Sequence, residues 1–310
     1  MRILVIGAGA LGGYFGACLA RAGRDVTFLV RPQRAEQLRD GLQVASPHGD
    51  FTVPVRMVTA ERLEAPFDLI LLATKSYSLA EAMAQFAPAV APGTAILPIL
   101  NGMAHLDALS ARFGAGQVLG GMAVISATLD EAGRVVSLLP NRDLVFGEVA
   151  GGTSARIAAI AAVLDGAGFA PRASDTVLQD MWEKWAGLAT NAGMTSMMRA
   201  PIGDIIAAPG GQEAILRLFD ECRAVAAAAG FPLRQPFVDF ATGLFTRAGS
   251  ALKASMLRDI ERGGPTEGDH VLGDLADRAR ALGVATPLLD LARIHVGAYE
   301  AGRAREAARR

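Results

Sequence analysis

Residues 3–30 limit what this chain can fold into more tightly than any other stretch. Ile3-Leu4-Val5-Ile6 is a continuous apolar run, which a parallel strand covered on both faces requires. Gly7-Ala8-Gly9-Ala10-Leu11-Gly12 follows without a gap, so a G-x-G-x-x-G pattern stands at the end of a strand and the start of a helix. In that position the first glycine allows the tight turn. The second lets the backbone approach a pyrophosphate, and the third lets helix and strand pack closely. The unpaired N–H groups of the first helical turn then face the phosphates. The helix should run to about Ala22, stop at Gly23, and be followed by a second strand from Val26 to Val30. An isolated glycine pattern is a weak signal, but the complete strand–turn–helix–strand unit points to a bound dinucleotide.

The residue after the second strand bears on which dinucleotide. An Asp or Glu there would accept from a ribose 2′-OH, whereas this chain has Arg31, with Arg34 three residues on. A carboxylate repels a 2′-phosphate, and a guanidinium binds it through paired, charge-assisted hydrogen bonds. NADP(H) is therefore favoured over NAD(H). The alternative, that both arginines are ordinary surface charges after a strand, stays open on sequence alone.

At 310 residues, and roughly 100–200 residues per domain, two domains are expected. Hydrophobic residues make up 51% and charged residues 20%, enough to bury a core and too apolar for a disordered chain. Lys plus Arg number 30 against 31 Asp plus Glu, so no overall basic field recommends nucleic acid or an anionic membrane as partner. Cys18 and Cys222 are too few for a disulfide framework, which implies a reducing compartment and a cytoplasmic location; both read as core fillers. Mean hydropathy is +0.31, yet no run approaches the ~20 apolar residues free of Gly, Pro and charge that a membrane span needs. Arg2 and the uncharged stretch Ile3–Ala20 imitate a secretory signal, but five glycines within it make a poor apolar helix, and the strand–turn–helix reading accounts for the same residues. His48, His270 and His295 share no metal-ligand spacing with each other or with the cysteines, so no metal is expected; His105, after the Asn101 edge, reads as a helix-terminal or surface residue, with a place lining the cleft as the alternative.

Asp68–Lys75 reads as another buried strand that delivers Thr74 and Lys75 at its C-terminal edge, and Ala95–Gly102 repeats the pattern with Asn101 and Gly102. Ligands of open α/β sheets sit beyond those edges. Lys75 could equally be a solvated loop lysine, and Asn101 a turn residue before a helix starting near Ala104. Further strands are expected at Val118–Ala127, Val135–Leu138 and Leu144–Val149, a helix at Ser154–Leu164, and a short piece at Phe169–Arg172. Near Ser174 the texture changes. From Thr176 onward long Ala-, Leu- and Met-rich helical stretches take over, among them Glu213–Ala229 and Gly268–Leu282, each stopped by a Gly and a nearby Pro. The expected division is an α/β dinucleotide-binding domain at 1–174 and an all-α domain at 175–310. The Arg-rich stretch from 303 to 310 reads as a solvated helix end.

With these residues in place the chain resembles the ketopantoate reductase (2-dehydropantoate 2-reductase) family over essentially its whole length. The likeness rests on Gly7–Gly12, Arg31, Ala73-Thr-Lys75, Asn101-Gly102-Met103, Trp182-Glu-Lys184, and the Ser255-Met-Leu-Arg-Asp259 and Thr266-Glu267 segment. It implies an N-terminal Rossmann domain and a helical C-terminal domain of the 6-phosphogluconate dehydrogenase type. The implied site carries Lys184 as catalytic lysine and Glu267 as active-site glutamate, with Glu267 also at the cofactor. Ser255 is implied to bind the substrate carboxylate, and Asn101 and Lys75 to serve cofactor and substrate. Hydride reaching a ketone carbon leaves charge on its oxygen, which an ammonium can stabilise and protonate. Burial would lower the Lys184 pKa and Glu267 would raise it, so the sequence leaves the balance open. Without the resemblance, Lys184 would read as a surface lysine and Glu267 as a capping or surface carboxylate.

The chain departs from the resemblance after the lysine. Ketopantoate reductases carry asparagines one and two helical turns further on, holding the substrate hydroxyl and the oxygen being reduced; here those positions are Leu188 and Ala192. Asn191, a candidate substrate contact, is one residue out of register, a rotation of about 100° on a helix. Leu188, Met194, Met197 and Met198 suggest a more apolar, adaptable pocket, although the methionines could be core filler. The expected activity is NADPH-dependent reduction of a 2-oxo acid in an interdomain cleft, with 2-dehydropantoate and hence pantothenate biosynthesis leading. The alternatives are a different 2-oxo acid or ketone, and an NADPH-binding sensor without turnover. A small-molecule substrate and a homodimer are the expected partners.

Overall fold

Ile3, Leu4 and Val5 have no exposed surface, and their run forms the central strand of a parallel sheet. The computed structural model describes residues 1–63 and 66–309, so Arg310, the last residue of the Arg-rich end, lies outside the described residues. The chain divides into two units. The first comprises Met1–Leu100 and His105–Leu178, and the second comprises Asn101–Ala104 and the chain from Gln179 onward.

The strands, all in the first unit, are β1 (Arg2–Ile6), β2 (Asp25–Leu29), β3 (Leu42–Ala45), β4 (Phe51–Val53), β5 (Arg56–Val58), β6 (Leu69–Leu72), β7 (Ala95–Pro98), β8 (Leu119–Leu129), β9 (Val135–Glu148) and β10 (Ala170–Ala173). The order β5-β2-β1-β6-β7 makes one all-parallel sheet, and α1 (Ala10–Arg21) provides the crossover from β1 to β2. Parallel neighbours need such crossovers, and sheets built from them are covered on both faces. This explains why β1 and β6 carry no polar residue between Ile3 and Ile6 or within Leu69–Leu72. The second sheet runs β10-β9-β3-β4, with β8 antiparallel to β9. Helices α2 (Pro32–Gln37), α3 (Leu79–Phe86), α4 (Ala104–Phe113) and α5 (Ala155–Leu164) complete the α/β part.

From α6 (Val177–Met198) onward the described chain is helical: α7 (Ile202–Ala207), α8 (Gly211–Ala228), α9 (Gln235–Phe245), α10 (Ser255–Glu261), a π-helical turn at Asp269–Gly273, α11 (Asp274–Ala281) and α12 (Pro287–Ala307). The expected α/β-plus-helical class is therefore the one observed. Two local expectations need correction. Val135–Leu138 and Leu144–Val149 belong to one strand, β9, whose exposed residues 138–141 bulge out of the ladder between the pairs Ala127–Ser137 and Ile125–Arg142. Pro140, which has no N–H for a ladder, falls in that excursion. Gly268–Leu282 is not one regular helix, because a π turn precedes α11.

Cys18 and Cys222 are buried core residues; burial pushes their thiols up to about 11 and about 12, respectively. His105 starts a helix as expected but is fully buried instead of exposed. Among the described residues no helix is long and apolar enough to cross a membrane.

Candidate active site

The glycine turn at the end of β1 is built around its three glycines. Gly7 has φ +91°, a conformation that L side chains rarely adopt. A Cβ on Gly12 would stand 2.0 Å from the Gly7 carbonyl oxygen, so the third glycine is what lets α1 cross the strand end. A Cβ on Gly9 would meet nothing within 4 Å. The second glycine therefore answers to no neighbour in the protein and leaves open space over the first turn of α1. Gly9 is also the N-cap of α1, where no side chain caps the exposed N–H groups. An uncapped helix start under open space fits a dinucleotide pyrophosphate.

The two arginines after β2 divide their roles. Arg31 is exposed and its Nη2 donates to Glu81 Oε2 at 2.6 Å. Arg34 turns inward: its Nε donates to the Ala8 carbonyl at 3.0 Å and its Nη1 to Gln37 Oε1 at 3.0 Å. Arg34 thus braces the glycine turn, a role its spacing did not reveal, and Arg31 is the guanidinium that stands at the surface. Glu81, the carboxylate it meets there, was not singled out from the sequence. Lys75 follows β6 at the start of a 3₁₀ turn, Ser76–Ser78, and is partly buried in the first unit.

Asn101, by contrast, belongs to the second unit. Gly102, with φ +77°, turns the chain here, and a Cβ on it would lie 2.7 Å from the His270 carbonyl oxygen. That close approach fixes the backbone carrying Asn101. Its Oδ1 accepts from Lys184 Nζ at 3.1 Å.

Lys184 is aimed by its neighbours on α6. Trp185, 1% exposed, donates its indole N–H to the Val271 carbonyl in the π turn at 2.9 Å. Trp182 stacks on Phe231, and Glu183 is taken up by Arg234, whose Nε and Nη2 reach its two oxygens at 2.7 Å each. Arg234 Nη2 also binds Asp180 Oδ1 at 2.5 Å. The carboxylates flanking Lys184 on its own helix are thereby committed elsewhere. Burial lowers the Lys184 ammonium to about 8, against the opposing pull of the Glu267 charge. Glu267 itself is 8% exposed. The balance left open by the sequence is thus settled in favour of burial.

Beside this amine lies a small pocket, open to solvent. Its polar lining is Asn101, Ser255, Asp259 and Glu267, and its apolar lining is Leu188, Ala192, Met256 and Val271. Four residues anticipated from the sequence therefore come together in the second unit: Lys184, Asn101, Glu267 and Ser255. Asn191 is not among the lining residues, and its Oδ1 is sealed from solvent with no hydrogen-bond partner. Of the two readings left open for the apolar residues after Lys184, the pocket holds for Leu188 and core filler for Met194; Met198 is 51% exposed, and the methionine at the pocket is Met256. Val271 and Met256 were missed, because a π turn and the inward face of a seven-residue helix leave no clear periodic trace.

The chain matches the family Ketopantoate reductase PanE/ApbA over residues 3–151 and its C-terminal counterpart over residues 176–300. It is 35% identical to Uncharacterized oxidoreductase YkpB of Bacillus subtilis (strain 168), over 97% of this chain and 99% of that one. The crystal structure of 2-dehydropantoate 2-reductase from Geobacter metallireducens GS-15 superposes with a TM-score of 0.87 at 30% identity, covering 96% of this chain and 99% of the other. The ternary structure of D-mandelate dehydrogenase with NADH and anilino(oxo)acetate shares the fold, with a TM-score of 0.88 at 23% identity over 98% and 99% of the two chains.

Proposed function

Because the chain belongs to the ketopantoate reductase family, whose members are oxidoreductases that bind NAD(P)H, we propose that it reduces a 2-oxo acid to the 2-hydroxy acid with NADPH. The family's own reaction makes 2-dehydropantoate, giving pantoate, the first substrate to try. The observation that carries the reading is the Lys184 ammonium, lowered to about 8 and held 3.1 Å from Asn101 Oδ1 beside a small pocket.

Gly7, Ala8, Gly9, Ala10, Leu11 and Gly12 would hold the cofactor pyrophosphate, Arg31 its 2′-phosphate, and Lys75, Asn101 and Glu267 its remaining polar groups. When bound, NADPH supplies a hydride to the carbonyl carbon. Lys184 Nζ stabilises the charge that develops on the oxygen and gives it a proton. Asn101 Oδ1 accepts a hydrogen bond from Nζ, which restricts where the other two N–H groups point. The Ser255 hydroxyl donates to the substrate carboxylate. Glu267 counteracts the cost of burying the ammonium and keeps most of it protonated at neutral pH.

The proton donor sets the pH dependence. A group with a pKa of about 8 donates below that value and not above it, so reduction should decline as pH rises through about 8. Glu267 raises the Lys184 pKa, so Glu267→Gln should move the declining limb to lower pH; a limb that stays in place would separate Glu267 from the amine. For the cofactor, Arg31→Asp replaces the surface guanidinium with a charge that repels phosphate. Titrations with NADPH and NADH should then show the preference for NADPH lost, and an unchanged ratio of dissociation constants would remove Arg31 from the 2′-phosphate. The activity is tested by following nicotinamide absorbance with a panel of 2-oxo acids that includes 2-dehydropantoate. Cofactor binding without turnover of any panel member would refute it.

A further inference from the structure

On the reductase reading above, we infer that the pocket selects 2-oxo monocarboxylic acids with a compact apolar side chain, and that Leu188 turns away a substrate hydroxyl. Lys184, Leu188 and Ala192 follow one another at four-residue steps along α6, so they stand on successive turns of nearly the same face. Lys184 meets Asn101, and the next two turns present Leu188 and Ala192 to the pocket. Met256 from α10 and Val271 from the π turn extend this wall. Neither α6 residue offers a hydrogen-bonding group to a ligand.

The polar lining comes from elsewhere than the α6 wall: Asn101, which accepts from Lys184, precedes α4, Ser255 and Asp259 stand on α10, and Glu267 precedes the π turn. The Ser255 hydroxyl is the group given to the substrate carboxylate above. Asn191 supplies no substitute, because its Oδ1 is sealed away from solvent. A substrate whose carbonyl meets Lys184 and whose carboxylate meets Ser255 leaves its side chain to the apolar wall. A hydroxyl there gives up water without gaining a partner, which weakens its transition-state binding by about tenfold or more. A second carboxylate on that wall would give up water with no cation among the lining residues to meet it, so dicarboxylic 2-oxo acids are disfavoured.

A matched pair isolates the hydroxyl: 3,3-dimethyl-2-oxobutanoate and its 4-hydroxy derivative, 2-dehydropantoate. With wild-type protein and NADPH, kcat/KM should favour the hydroxyl-free acid by about tenfold. A ratio of one or less overturns the inference. Leu188→Asn, branched at Cγ like leucine but smaller and carrying an amide, should lower that ratio by about tenfold, while Leu188→Ala, which is apolar, should keep the wild-type preference. An unchanged ratio in Leu188→Asn removes the role given to Leu188; the wild-type comparison needs no variant to fold. Calorimetry of the two product hydroxy acids, pantoate and 2-hydroxy-3,3-dimethylbutanoate, with NADP⁺ present, separates this inference from the reductase reading. Tighter binding of the hydroxyl-free product without any turnover would end the reductase reading and leave the pocket preference standing. Equal binding, binding in the reverse order or binding of neither would end the preference.

Discussion

Lys184→Ala is expected to lower kcat for reduction of the best 2-oxo acid by about 10²-fold or more, while NADPH binding is retained. The expectation follows from what surrounds the amine. Arg234 is tied to Asp180 and Glu183, so it does not replace the lost charge. Asn101 and Glu267 would remain, and neither is a cation. Lys184→Arg should not restore turnover, because a guanidinium keeps its charge at the site but does not give up a proton in this pH range. The pair of variants thus separates electrostatic stabilisation from proton donation. Partial recovery in the arginine variant would assign most of the effect to charge, and full turnover in the alanine variant would remove the role altogether.

The glycine turn offers the second large effect. In Gly12→Ala the new methyl carbon would have to occupy a point 2.0 Å from the Gly7 oxygen, so α1 must move away from the strand end. Overpacked contacts typically cost ~1–3 kcal/mol, which lowers the Tm, and the displaced first turn of α1 no longer aims its N–H groups at the pyrophosphate, so the Kd for NADPH should rise by about tenfold or more. Gly9→Ala acts differently. Its methyl meets no protein atom within 4 Å, so the Tm of the unliganded protein should not change. It does intrude where the pyrophosphate would approach, and the Kd should rise by about tenfold or more. Wild-type NADPH affinity in both variants would mean that the cofactor sits elsewhere.

The contrast between those glycines shows what the sequence made legible. The strand–turn–helix unit could be read because a strand covered on both faces must be apolar throughout, and because each glycine has its own steric duty. Lys184, Glu267 and Ser255 were legible through family likeness, not through spacing, since residues about 80 apart carry no periodic relation, whereas Asn101 also stood out at the C-terminal edge of a buried strand. What stayed hidden depends on long-range contacts. Nothing near Arg31 in the chain announces Glu81, and nothing near Arg34 announces that its Nε reaches back to Ala8. The apparent gap between the two halves of β9 was a real irregularity in the ladder, but cross-strand pairing with β8 carries the strand through it. The π turn was invisible because hydrophobic periodicity does not distinguish one wide turn from the regular helix that follows. Leu188 and Ala192 were visible as departures, and both line the pocket.

The most direct test of the central claim is to measure 2-hydroxy acid formed against NADPH consumed when the wild-type protein is mixed with 2-dehydropantoate, its hydroxyl-free counterpart and other 2-oxo monocarboxylic acids. The Lys184 site predicts one molecule of hydroxy acid for each NADPH oxidised, with the rate failing as pH rises through about 8. NADPH that binds yet is not oxidised in the presence of any of these acids would contradict it.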